Sequence, residues 1–137
     1  MAEAARAPAV KYMVLMYADP TATEAMTAEE RAEVALRHEA LHRDLEGTGE
    51  MLNGAGLAYP RDTTTIRWSR EGDDTTDGPF TAGTEQLTAY YVIDCASPER
   101  AREIAGRVLD FHVVAVEIRP VHDSFGMRNR PAERAEG

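Results

Sequence analysis

The sequence is poor in cysteine, in positive charge and in long apolar runs, and each shortage excludes a class of protein. Cys95 is the only cysteine in 137 residues, which excludes an internal disulfide and a cysteine-based metal cluster. Acidic residues outnumber basic ones by 24 to 15, so the net charge of −9 argues against nucleic acid or an anionic membrane as a partner. No apolar run approaches the length of a membrane span and no signal-peptide core is visible, so we expect a cytoplasmic protein.

Length and composition favour one globular domain. The 137 residues are 43% apolar and 28% charged, which is enough for a hydrophobic core in an ordinary folded protein. We expect this domain over residues 10–125. An Ala-rich extension at 1–9 and a polar, basic tail at 126–137 are expected to be disordered.

The first half of the chain predicts a strand followed by a helix. Residues 10–17 alternate in a way that makes both faces of a strand apolar. Thr27 and Glu30 have the spacing of a capping box, which predicts a helix over about 27–46. The apolar stripe of this helix contains Val34, His38, Leu41 and Leu45.

The second half predicts three more strands and one helix. The second predicted strand lies at 63–69, between an apolar link at 51–58 and a polar loop at 71–76. The elements predicted after it are a turn at 77–80, a strand at 87–93, a helix at 97–109 and a strand at 112–121. This order is the ferredoxin-like βαββαβ plait, an α+β fold with an antiparallel sheet. Both helices would cover one sheet face, and the apolar residues of the other face favour a homodimer.

His38 is the sharpest candidate for chemistry because it interrupts an apolar stripe. Burial lowers the pKa of a histidine and a nearby carboxylate raises it, so such a residue can be tuned across neutrality. The alternative is a core histidine that is satisfied by one partner. His42 follows one turn later at the edge of the stripe, as a surface residue or a contributor to a substrate pocket. The pair lacks the accompanying acid of the zinc motif, so we expect no metal.

Asp77 is the acid best suited to pair with His38. A His-Asp dyad in a dry cleft moves protons without a cofactor, so none is expected. Arg119 shares a strand face with Glu117; the two pair with each other, or Arg119 holds a substrate carboxylate or enolate. The aromatic candidates for a pocket wall, each also explained as core or interface, are Tyr12, Trp68, Tyr90 and Tyr91.

Three segments resemble the YCII-related family and, within it, the DGPF-domain proteins. They are residues 11–17, the Asp-Gly-Pro-Phe turn at 77–80 with residues 85–94, and residues 116–121. The resemblance implies a dimeric α/β barrel of ferredoxin-like subunits and an acid–base pair that would fall on His38 and Asp77. One member of the family is a dehydrochlorinase, and others resemble partners of alternative sigma factors. The chain departs from the pattern where the family usually has an acid, a lysine and paired glycines, namely at Ala82, Thr84, Thr88 and Ala89.

The residues and the resemblance together predict a cofactor-independent lyase, isomerase or cyclase acting on a small molecule. His38 would be the general base, Asp77 would orient it or act as the acid, and Arg119 would stabilise negative charge. This function requires a cleft that these side chains reach. The alternative is a non-catalytic dimer that binds a ligand or a regulatory partner, with His38 packed and inaccessible.

Overall fold

The computed structural model describes residues 10–123, which form six strands and three α-helices. In chain order these are β1 (Val10–Ala18), α1 (Pro20–Glu24), α2 (Ala28–Thr48), β2 (Met51–Gly56), β3 (Thr64–Ser69), β4 (Gly72–Asp77), β5 (Gln86–Cys95), α3 (Pro98–Val108) and β6 (Ala115–Pro120). Short 3-10 turns lie at Pro60–Asp62 and Leu109–Phe111. The segments for which disorder is predicted, 1–9 and 126–137, lie outside the described residues.

The main sheet has four strands in the order β2-β5-β1-β6, and each neighbouring pair is antiparallel. The two strands that begin and end the plait, β1 and β6, are adjacent, and β5 separates β1 from β2. This is the strand order of the ferredoxin-like plait, so the predicted fold class is confirmed. The strands β3 and β4 form a separate two-stranded sheet between β2 and β5 in the chain.

The sequence-based choice of the second plait strand is wrong. Residues 64–69 do form a strand, but it pairs with β4, which occupies the predicted polar loop. The true second strand is β2, in the stretch interpreted as a link. Gly54 and Gly56 lower the strand propensity of that stretch, whereas the Thr-rich segment of β3 has a strong one. Pairing with β5 overrides this local preference.

The two long helices begin and end where capping chemistry predicts. Thr27 and Glu30 form the reciprocal capping box of α2, and Gly49 ends that helix at a φ of 78°. The Ser97 hydroxyl accepts from the Arg100 amide at the start of α3. The short helix α1 is unpredicted; the Asp19 side chain caps it immediately after β1.

The core lies between the helices and one face of the main sheet. Its fully buried members are Val14, Leu41, Leu45, Ile93, Ile104 and Val108. The opposite face of β1 carries half-buried Met13 and Leu15, which alternate with the core residues as the sequence predicts. Of the helices described, none is long and apolar enough to cross a membrane.

Candidate functional site

A cleft of about 480 Å³ runs between α2 and the β2 edge of the main sheet. The helix contributes a row of side chains four residues apart, which therefore lie on one helix face; they are Val34, His38, His42 and Glu46. The sheet and the segment after α3 contribute mostly apolar groups, among them Met16, Met51, Tyr91, Phe111 and Val113. The cleft thus combines an apolar body with a short row of titratable groups.

The sheet side of the cleft depends on one close approach. A Cβ atom at Gly54 would lie 2.8 Å from Cδ1 of Tyr91 and 3.0 Å from the Tyr90 carbonyl oxygen. Real side chains do not approach so closely, so the aromatic ring of Tyr91 occupies space that only glycine leaves open. Gly54 therefore fixes the position of the Tyr91 ring in the cleft wall.

His38 lies on the exposed side of α2, where its ring contacts three aromatic rings. The ring centroids are 5.5 Å from Phe111, edge-on, 5.7 Å from Tyr91 and 6.2 Å from His42, stacked. Partial burial, and then the neighbouring His42, lower the pKa of His38, against a small opposing effect of Glu39. His38 is therefore accessible and carries a neutral ring at neutral pH.

His42 and Glu46 continue the row along the helix. The Nε2 atom of His42 lies 3.8 Å from Oε1 of Glu46, an ion pair when the ring is protonated. Both side chains are about half exposed, at 48% and 59%. The carboxylate in the cleft is therefore Glu46, whose place four residues after His42 is visible in the sequence once the cleft face of the helix is known.

Tyr91 presents a buried polar atom beside the cleft. The residue is only 4% exposed, and its hydroxyl has no hydrogen-bond partner among the described residues. Burial raises the pKa of Tyr91 to about 12, so the hydroxyl keeps its proton at any physiological pH. An unsatisfied buried hydroxyl costs about 1–3 kcal/mol of stability, which makes it a candidate for function.

Asp77 lies apart from this row. It is the last residue of β4, paired with Thr64 of β3, and its side chain is exposed. It is not among the residues that line the cleft, and no contact joins it to His38 within residues 10–123. Of the turn predicted at 77–80, Asp77 instead ends β4, and the chain bends at Gly78, which has a φ of 106°. The pairing of Asp77 with His38 stays a prediction.

The other predicted site residues also lie outside the cleft. Arg119 faces Met13, and Tyr90 faces Leu15, on the sheet face away from the helices. Arg119 pairs with Glu117 at 3.3 Å, which is the simpler of its two predicted explanations. Tyr12 belongs to the core at 7% exposure, and Trp68 extends from the separate hairpin at 84% exposure. Of the predicted residues, the structure brings together His38, His42 and Tyr91.

No group of three histidine, cysteine or acidic side chains within residues 10–123 is arranged to hold a metal ion. The cleft residues that sequence reasoning misses come mainly from β2 and from the 3-10 turn after α3. The sequence interpretation places Asn53 and Gly54 in a link, and Phe111 between the predicted helix at 97–109 and the predicted strand at 112–121. No periodic signal marks them, because Asn53 and Gly54 reach the cleft through the pairing of β2 with β5, and Phe111 through the 3-10 turn after α3.

Comparisons with known proteins agree with this fold. A model of the YCII-related domain matches residues 10–123, which includes every element described above. An uncharacterized protein of Rhizobium meliloti (strain 1021) is 35% identical over 94 residues, which are 69% of this chain and 76% of that protein. The region that the family model matches contains the whole plait and the inserted hairpin.

Proposed function

The chain belongs to the YCII-related domain family, and we propose that it is a small-molecule enzyme that transfers protons without a cofactor. The single observation that supports this most directly is the placement of His38 in an accessible cleft rather than in the core. The reaction class is elimination, isomerisation or cyclisation, which share a proton-transfer step.

His38 is the general base of this proposal. Its lowered pKa leaves the ring unprotonated at neutral pH, so a nitrogen lone pair is available to a substrate. The apolar wall formed by Phe111 and Tyr91 excludes water from one side of the ring, which strengthens electrostatic interactions there. A substrate C–H next to a carbonyl group is the kind of acid that such a base removes.

His42 and Glu46 are the groups that accompany the base. The Nε2 atom of His42 lies 3.8 Å from the Glu46 carboxylate, so in this proposal the two groups stand beside the base and exchange the proton with the substrate. The predicted dyad of His38 and Asp77 is thereby replaced, in this proposal, by a row of three side chains on one helix. Asp77 lies on the separate two-stranded sheet, outside the row on α2, and would contribute to this chemistry only if its side chain reached the cleft.

The test is hydrogen exchange at carbon. Small cyclic ketones in D2O with catalytic protein should gain deuterium next to the carbonyl, as followed by NMR. His38→Gln should lower the rate of this deuterium exchange by at least about 100-fold, since a general base usually contributes that much. His122→Gln is the matched control, because it removes an exposed histidine that lies 3.8 Å from Asp123 and does not line the cleft. Equal rates in His38→Gln and wild type would refute the proposal.

A second candidate, a regulatory or ligand-binding partner protein, is favoured by the separate hairpin. Ile66 and Trp68 alternate on one face of β3 and are 66% and 84% exposed, an unusual display of large apolar groups. Half-buried Met13 and Leu15 on the open sheet face favour a homodimer as well. Analytical ultracentrifugation of wild type and Leu15→Lys tests the dimer; a wild-type monomer would exclude it.

A further inference from the structure

The cleft continues past His38 into a second cavity of about 350 Å³. The two cavities share five lining residues, Val34, His38, Thr88, Phe111 and Val113. The second is lined also by Arg31 and His112, whereas none of the described residues that line the first is a lysine or arginine. We propose that this second cavity is an anion subsite, in which Arg31 holds the carboxylate of a substrate whose apolar body lies in the first cavity.

Arg31 is held in place by backbone carbonyls. Its Nη2 donates to the carbonyl oxygens of Thr23 at 3.0 Å and Glu24 at 3.2 Å, and its Nε donates to that of Met26 at 3.4 Å. These bonds fix the guanidinium plane before any ligand arrives, which reduces the entropy that binding costs. The Nη1 group makes no hydrogen bond to residues 10–123, and it is the donor left for a carboxylate oxygen.

The charge of Arg31 is also unpaired. Within the described residues, Arg31 forms no ion pair, although two acids are near it in sequence. The Glu24 carboxylate pairs with Arg61 at 2.7 Å, and the Glu30 carboxylate accepts from the Thr27 amide at 2.8 Å. A fixed guanidinium without a carboxylate partner at a cavity wall is the arrangement that recognises an anionic ligand.

His112 lines the same wall. It is the one non-glycine residue of 10–123 with a positive φ, at 59°, and this left-handed conformation ends the 3-10 turn that contributes Phe111. The chain therefore turns so that Phe111, His112 and Val113 all line the second cavity. The role predicted for Arg119, binding of a substrate carboxylate, is by this proposal performed by Arg31.

The experiment compares two probes of the same shape, 2-naphthoate and 2-acetonaphthone, by calorimetry and by amide chemical-shift mapping. The wild-type protein should bind the carboxylate roughly 10- to 100-fold more tightly than the ketone, as expected for one charge-assisted hydrogen bond. Arg31→Gln should abolish this preference, and Arg31→Lys should restore part of it. Arg37→Gln is the matched control, because Arg37 lies on the same helix and bonds Glu33 and the Asp110 carbonyl outside the cleft.

Equal binding of the two probes, no binding of the carboxylate, or a preference that survives Arg31→Gln would each overturn the subsite. If Arg31→Gln fails to fold, the wild-type comparison and Arg31→Lys decide the question. The substrate class assigned here rests on the proposed function, yet the two fail separately. A carboxylate preference without His38-dependent exchange would refute the enzyme alone, and ketone exchange that depends on His38 without that preference would refute the subsite alone.

Discussion

The replacement of Gly54 by alanine tests how the cleft wall is built. The new Cβ would lie 2.8 Å from Cδ1 of Tyr91 and 3.0 Å from the carbonyl oxygen of Tyr90. The first contact is with a ring that is 96% buried, given its 4% exposure, and the second is with backbone of the central strand β5. Neither atom belongs to a flexible side-chain end, so either the ring or the β2 edge must move.

The expected cost follows from that geometry. Overpacking of a well-filled site destabilises a protein by about 1–3 kcal/mol. With a urea m-value of about 1–3 kcal/mol per molar, a change of 2 kcal/mol shifts the unfolding midpoint by about 1 M. Because the Tyr91 ring also forms the cleft wall beside His38, the substitution should weaken 2-naphthoate binding as well.

Gly56→Ala is the matched control. Gly56 lies two residues along the same strand and also lines the cleft, but a Cβ there meets nothing within 4 Å. Its unfolding midpoint should stay near that of wild type or rise slightly, since alanine restricts the unfolded chain. Equal destabilisation of the two variants would refute the close approach and would assign the effect to strand propensity alone.

Three further substitutions have defined outcomes. Tyr91→Phe removes a buried hydroxyl without a partner, so urea unfolding should show unchanged or higher stability, by up to about 1 kcal/mol; a clear loss would mean that the hydroxyl is satisfied. Glu50→Gln breaks the two hydrogen bonds that Arg100 donates to Glu50, at 2.7 and 2.9 Å, and should lower the free energy of unfolding by about 2 kcal/mol. Glu103→Gln is the control, because the Glu103 side chain is 68% exposed, and it should lower that free energy by less than about 0.5 kcal/mol. The pKa of His38 is lower in the folded protein than the ordinary 6.5, so the free energy of unfolding should fall as the pH drops below about 6.5. In His38→Gln, urea unfolding at a series of acidic pH values should show a weaker dependence of this free energy on pH.

The parts of the fold that the sequence predicts are those controlled by local chemistry. The capping box of Thr27 and Glu30, the Ser97 cap and the alternation along β1 each depend on residues within a few positions of one another. The second plait strand depends instead on which segment pairs with β5. Gly54 and Gly56 lower the strand propensity of this segment, so that propensity does not indicate a strand. The Tyr91 ring nevertheless requires glycine at position 54. A long-range packing requirement thus removed the local signal.

The candidate site follows the same division. His38 is recognisable because it interrupts a local apolar stripe, and His42 because it follows one turn later. Glu46 and Phe111 are placed beside them by α2 packing against the sheet and by the turn after α3, which no short-range pattern encodes. Arg119 is predicted from the strand face that it shares with Glu117, and Tyr90 from its aromatic ring, but the strand register puts both on the sheet face away from the cleft.

The arrangement of charge along α2 gives the cleft a direction. Glu46 lies at one end of the row, neutral His38 near its middle, and Arg31 two turns before it with its guanidinium held by the end of α1. By the proposal above, a substrate carboxylate would be attracted to the Arg31 end by the opposite charge and repelled from the Glu46 end by the like charge. The reacting carbon would then lie beside His38, with His42 and Glu46 on the side away from the carboxylate. With a substrate oriented in this way, Arg31→Gln should mainly raise KM, and His38→Gln should mainly lower kcat. A change in the same parameter in both variants would contradict this division of roles between the two side chains.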